Sequence, residues 1–151
     1  MSEVERITDQ LRRAFEGEAW HRPSVREVLD GVSAEKAAAR PIAGAHSIWE
    51  IALHIAAWEN VARRRLLGER AQVTDEENFP PVAETSEAAW AATRAALEEG
   101  NLRLREEISR LSDSRLSEPI IEGMFSVYIT LHGVIQHTLY HAGQIALLKK
   151  A

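Results

Sequence analysis

An all-α fold, built as a bundle of four long helices with short additional helices in the first connection, is predicted by three features of the sequence. Apolar residues recur at intervals of three and four through four long segments, and Pro and Gly cluster between those segments. The capping-box spacing of Ser to Glu recurs at Ser2–Glu5, Ser24–Glu27 and Ser47–Glu50. Strict alternation of apolar and polar residues is absent even from the Val-, Ile- and Tyr-rich C-terminal segment, which is far longer than an ordinary strand.

The first helix is expected over residues 3–17, where Val4, Ile7, Leu11 and Phe15 form the apolar stripe and Gly17 marks the end. Pro23 and the Ser24 box open a short helix running to about Gly31, and a second short turn follows over 33–39. The second long helix begins at Ser47 and continues to Leu67, before Gly68; Arg63, Arg64 and Arg65 suit its C-terminal dipole. Pro80 and Pro81 close an acidic loop. The Ala- and Glu-rich run over 86–111 reads as a third, more exposed helix, with Ala89, Leu97, Leu104, Ile108 and Leu111 among its apolar positions. Pro119 and Gly123 bracket a small extended turn, and residues 126–149 form the fourth long helix. Trp49, Trp58 and Trp90, at helical positions, are expected in the core.

At 151 residues the chain reads as a single domain, 1–151, long enough to bury a real core. It contains six His and no Cys, so a disulfide framework, a thiolate zinc site and a Cys nucleophile are all excluded. Any metal must be held by imidazole and carboxylate. With 18 basic and 23 acidic residues the formal charge is −5, which favours solubility and disfavours binding along a phosphate backbone, so no nucleic-acid partner is expected. The N-terminal MSEVERITDQLRR is charged from its third residue and lacks an apolar stretch; neither a signal nor a transit peptide is read, and a cytoplasmic protein is the expectation. Gly123 to Leu148 contains no Asp, Glu, Lys or Arg and is long enough to span a bilayer. The same window carries His132, Gln136, His137, His141 and Gln144, whose burial in lipid would be costly, so it is expected to be a buried helix with no membrane contact.

His137 and His141, four residues apart on one helix, lie about 40° apart on one face and can reach a common point. His54 shares a stripe with Ile51, Trp58 and Val61 that faces the core. Inside a bundle these three can converge, and three neutral imidazoles around a divalent ion leave a position open to water or substrate. The alternative is bland: a core histidine satisfied by a hydrogen bond, and a polar ladder on the fourth helix. HTLYH lacks the Glu of the metalloprotease pattern H-E-x-x-H, having Thr138 there, so a peptidase is set aside. Glu50, four residues before His54, is a weak candidate for a fourth ligand, a base or a residue orienting an imidazole, although its capping role with Ser47 explains it equally well. His46 and His132 are expected to be structural, since His132 stands about 140° round the helix from His137. His21 has no fixed place, Gln144 is near the face of His141, and Tyr140 is expected to pack. No G-x-S-x-G, P-loop or G-x-G-x-x-G motif is present.

His46-Ser47-Ile48-Trp49-Glu50 leading into Leu53-His54-Ile55-Ala56-Ala57-Trp58-Glu59, together with Gln136-His137-Thr138-Leu139-Tyr140-His141-Ala142-Gly143-Gln144-Ile145, resembles the DinB/YfiT-like superfamily. These are bacterial metal-binding four-helix-bundle proteins grouped with DNA-damage-inducible DinB. The likeness extends more weakly to Glu18-Ala19-Trp20-His21 and Pro23-Ser24. It implies an up-down-down-up bundle, often a homodimer, holding zinc or nickel through three His, whose motif positions fall here on His54, His137 and His141. Characterised relatives of this kind are thiol S-transferases in which the metal activates a low-molecular-weight thiol such as bacillithiol or mycothiol toward an electrophilic small molecule. The family name reflects damage-induced expression and does not imply DNA binding.

The function expected on these grounds is a metal-dependent transferase, with a hydrolase using metal-bound water as its variant. A non-catalytic metal-binding stress-response protein is the alternative from another class. Haem binding by paired His lacks any supporting feature.

Overall fold

Every α-helix of the protein starts at a Ser or Thr whose side-chain oxygen accepts the amide three residues on. The computed structural model describes residues 1–151: α1 (Glu3–Phe15), α2 (Val25–Leu29), α3 (Ala34–Ala38), α4 (Ile48–Leu66), α5 (Asp75–Asn78), α6 (Glu87–Ser109), a 3-10 turn (Asp113–Ser117) and α7 (Val127–Leu148). There is no β-strand, only an isolated antiparallel bridge between Pro119 and Ser126 that closes the expected turn around Gly123. The boxes at Ser2–Glu5, Ser24–Glu27 and Ser47–Glu50 form with both reciprocal hydrogen bonds. So does a fourth, Thr74–Glu77, which opens α5 inside the acidic stretch that the sequence reading treats as a loop. The first and third long helices end at Phe15 and Ser109, short of the expected 17 and 111. No helix is long and apolar enough to cross a membrane.

α4 packs on both α6 and α7, and α1 packs on the same two helices from the other side. Two apolar clusters fill the interior. One joins Phe15, α2 and α3 to Ile48–Ile55 of α4, Trp90 and Leu97 of α6, and Ala142, Ile145 and Leu148 of α7. The other joins α1 to Ala62, Leu104, Ile108 and the first half of α7. Fully buried side chains such as Ile55, Leu97, Leu104 and Ile145 each contribute about 1.5–3 kcal/mol of transfer free energy. Glu59 of α4, Asn101 of α6 and Thr138 of α7, all buried and polar, fall between the clusters. They touch. Asn101 Nδ2 donates to Glu59 Oε1 at 3.0 Å and the Thr138 hydroxyl reaches the same oxygen at 3.4 Å. Arg105 extends the layer outward, donating to Asn101 Oδ1 at 2.9 Å and pairing with Glu16 at the end of α1.

The end of α4 is set by Gly68, at φ +90°. Glu69 N–H donates to the Arg64 carbonyl and Gly68 N–H to the Arg65 carbonyl, both at 3.0 Å. This is the Schellman arrangement, which needs a left-handed residue where glycine is least strained. It folds the chain back so that Arg65 Nε donates to the Ala71 carbonyl at 3.0 Å.

Candidate metal centre

α4 and α7 bring His54, His137 and His141 together, with one ligating nitrogen of each lying within 4.8 Å of the others. The three Nε2 atoms meet: His137 Nε2 stands 2.9 Å from His54 Nε2 and 3.1 Å from His141 Nε2. His54 and His141 are buried and His137 is half-buried.

The outward-facing nitrogens decide where the ring protons sit. His54 Nδ1–H donates to the Asn78 carbonyl at 2.6 Å, and His141 Nδ1–H donates to Gln144 Oε1 at 2.6 Å. A neutral imidazole carries one proton, so both Nε2 atoms are bare, and the single proton available to His137 Nε2 can satisfy only one of its two neighbours. Burial keeps the rings neutral. It pushes His137 down to about 4, helped by the nearby His141 and His54. Burial also lowers His54 and His141, against the hydrogen bonds they donate to Asn78 and Gln144. With the His137 proton on Nδ1 instead, all three Nε2 atoms are bare and together form a cation-accepting donor set. A tetrahedral ion with bonds of about 2.0–2.1 Å holds its nitrogens about 3.3 Å apart, close to the 2.9 and 3.1 Å that separate His137 Nε2 from its two neighbours.

Two residues that sequence reasoning did not single out build the wall behind His54. Asn78 ends α5; its carbonyl takes the His54 proton and its Oδ1 accepts from Trp58 Nε1 at 2.8 Å. Phe79 follows and is sandwiched between His54 and His46, with ring centroids 4.0 and 3.7 Å away and planes nearly parallel. The Thr74–Glu77 box was the available signal for the helix that delivers them. Trp58 is half-buried and edge-on to His137, a wall of the site and not the core residue expected; Trp49 and Trp90 are core, tilted against each other at 5.0 Å.

The centre opens on a cavity of about 460 Å³ between α4 and α7. Trp58, Val61 and Ala62 line it from α4, Gly133 and Val134 from α7, with Arg65 at its far end. Tyr140, largely exposed, lies at the rim with its ring edge-on to His141 at 5.1 Å.

The remaining sequence candidates lie elsewhere. The Glu50 carboxylate accepts from the Ser47 amide at 2.7 Å and pairs with Arg40. Burial raises its pKa, but the Ser47 hydrogen bonds and the Arg40 charge outweigh this and hold it below the usual carboxylate range, so it is fully engaged as a cap. His46 also approaches it, at 3.7 Å. His21 is exposed in the loop after α1 and contacts only the Arg22 carbonyl, at 3.4 Å. His132 leans on Tyr128 at 4.3 Å, and its buried Nε2 has no partner. Glu59, five residues beyond His54, is the one fully buried acid; burial pushes it up to about 7, against the Asn101 and Thr138 hydrogen bonds and the more distant Arg105.

A model of the DinB superfamily matches residues 19–145, which include all three histidines and the cavity walls. No curated protein and no solved structure matches the chain.

Proposed function

The chain belongs to the DinB superfamily, and we propose that it is a metal-dependent transferase in which His54, His137 and His141 hold a divalent ion, zinc or nickel, beside a substrate cavity. The observation that carries this reading is the convergence of three imidazole Nε2 atoms on the wall of an open cavity and not within a closed core. A structural ion wants a fourth protein ligand, whereas three His with open space beyond them suit an ion that also binds a substrate atom. When bound, such an ion lowers the pKa of a coordinated thiol or water and so supplies a nucleophile at neutral pH.

The chain's own residues do the positioning. Asn78 and Gln144 fix the tautomers of His54 and His141 and aim their Nε2 atoms inward. Trp58, Val61, Ala62 and Val134 exclude water from one side of the centre. A low-molecular-weight thiol is the proposed nucleophile: its sulfur forms a C–S bond to an electrophilic carbon, the leaving group departs with the bonding pair, and the thiol proton passes to solvent. As the chain has no Cys, the sulfur must arrive with the cosubstrate.

The bundle is further proposed to run up-down-down-up. Asp113 at the amides of Glu3 and Val4, with Arg105 at Glu16, supports opposite directions for α1 and α6. Trp49 on Thr93 and Glu59 on Asn101 support the same direction for α4 and α6, and His54 near His141 with Glu59 near Thr138 supports an opposed α7.

Two measurements test the proposal. Metal analysis of freshly purified protein should find near-stoichiometric zinc or nickel in the wild type and much less in His141→Ala; equal contents would overturn the ligand assignment. Metal-loaded protein should then consume a bacterial thiol together with a chlorinated aromatic or an epoxide, and absence of thiol-dependent turnover across the common bacterial thiols would leave a metal-binding protein without this activity.

A further inference from the structure

The cavity beside the three histidines has a charge pattern opposite to that of the chain. The protein carries a net −5, yet none of the 12 residues lining this cavity is acidic, and its one formal charge is the guanidinium of Arg65. Arg65 lies on the same α4 stripe as His54, Trp58 and Ala62, spaced by four, four and three residues, so all four side chains meet the cavity along one face.

The end of a helix readily takes a cation for its dipole, but Arg65 is held differently from its neighbour. Arg64 pairs with Glu69 at 2.7 Å, while Arg65 forms no ion pair. Its single side-chain hydrogen bond runs from Nε–H to the Ala71 carbonyl, delivered by the turn at Gly68, which leaves both Nη groups without a protein acceptor. A half-buried guanidinium fixed at Nε and free at its Nη edge offers the two-pronged fork that matches a carboxylate.

Across the cavity, Gly133 interrupts the interior of α7, where glycine costs about 1 kcal/mol relative to alanine. Packing does not demand it, because a Cβ there would meet no atom within 4 Å. What the glycine provides is room between Arg65 and the histidines, next to Val61, Ala62 and Val134.

We infer that this cavity selects a small anionic ligand with an apolar body, whose carboxylate is gripped by Arg65 while its other end lies at His54, His137 and His141. His54 and Arg65 are 11 positions apart on α4, a rise of about 16 Å; the arginine side chain leans back along part of this, leaving on the order of 10 Å for the ligand. The end at the histidines rests on the metal reading above; the carboxylate end does not.

Calorimetric titration of the full chain, zinc-free and zinc-loaded, with ω-mercaptooctanoate and with its neutral amide separates the two. The wild type should bind the acid about tenfold or more tightly than the amide in both forms, as expected for a charge-assisted pair. Arg65→Gln should abolish that preference without changing the zinc content read by emission spectrometry, and Gly133→Leu should weaken acid and amide alike. Equal binding of acid and amide by the wild type, or an unchanged preference in a folded Arg65→Gln protein, overturns the inference even where zinc binds. Failure to retain zinc overturns the metal reading instead, and the acid–amide comparison on the zinc-free protein still decides the role of Arg65.

Discussion

Glu59→Gln isolates the one buried acid of the bundle. In the fold its Oε1 accepts from Asn101 of α6 and Thr138 of α7, its Oε2 has no partner, and Arg105, paired outward with Glu16 of α1, is the nearest counter-charge. Burial raises the carboxyl from its ordinary 4.5 to about 7. Between those two values the folded protein holds a proton that the unfolded chain has released, so Glu59 makes stability fall as pH rises through this window and level off above it. The full loss is about 3 kcal/mol, at no more than about 1.4 kcal/mol per pH unit. The side-chain amide of the Glu59→Gln protein keeps an acceptor for Asn101 and Thr138 and cannot ionise, so the variant should lack this slope. The three site histidines act with the opposite sign. Their folded values lie below 6.5, so they add stability above that value and lose it as pH falls toward about 4. That contribution is common to both proteins and cancels in their difference. Urea unfolding of the zinc-free proteins followed by circular dichroism, from about pH 5 to about pH 8, should show the wild type losing up to about 3 kcal/mol relative to Glu59→Gln. A constant difference across that range would refute the reasoning, since it would mean that Glu59 is ionised in the fold at both ends.

Removing the acceptor behind one ligand should weaken the centre without removing a ligand: Gln144→Ala is expected to lower zinc affinity about 10–100-fold, read by competition with a chromophoric chelator. Because burial holds His137 at about 4 and lowers its two partners, zinc affinity measured the same way should be nearly flat above pH 6.5 and fall only as protons begin to compete at lower pH; a steep loss beginning near the ordinary histidine value would contradict the buried, neutral triad. Leu97, fully buried between α4 and α6 in the cluster nearer the centre, should cost about 2–5 kcal/mol as Leu97→Ala in urea unfolding.

The helices were legible because their signals are local. Ser47 and Glu50 interact within one turn, and the stripe of Val4, Ile7 and Leu11 is a property of a single helix, so one sequence suffices to read both. The same logic that works for Ser24–Glu27 applies to Thr74–Glu77, yet α5 has only four residues, three of them acidic and none buried, and without an apolar stripe the box alone does not set it apart from an exposed loop. Its existence depends on docking, through Asn78 on His54 and Trp58 and through Phe79 between two imidazoles. The Asn78 contacts join residues 24 and 20 positions apart and leave no periodic trace.

The candidate site divides along the same line. His137 and His141 are neighbours because a helix makes them so, whereas His54 joins them only because α4 lies on α7, a fact of packing that spacing cannot state. Arg65 is the sharpest instance. In the sequence it is one of three consecutive arginines at a helix end, and the helix dipole explains all three equally. In the fold the Gly68 turn ties Arg65 to the Ala71 carbonyl and directs it to the cavity, while Arg64 pairs with Glu69. Three identical residues in a row face directions about 100° apart on a helix, so one turn of backbone geometry is enough to turn one of them to the cavity and to leave another as a solvated ion pair.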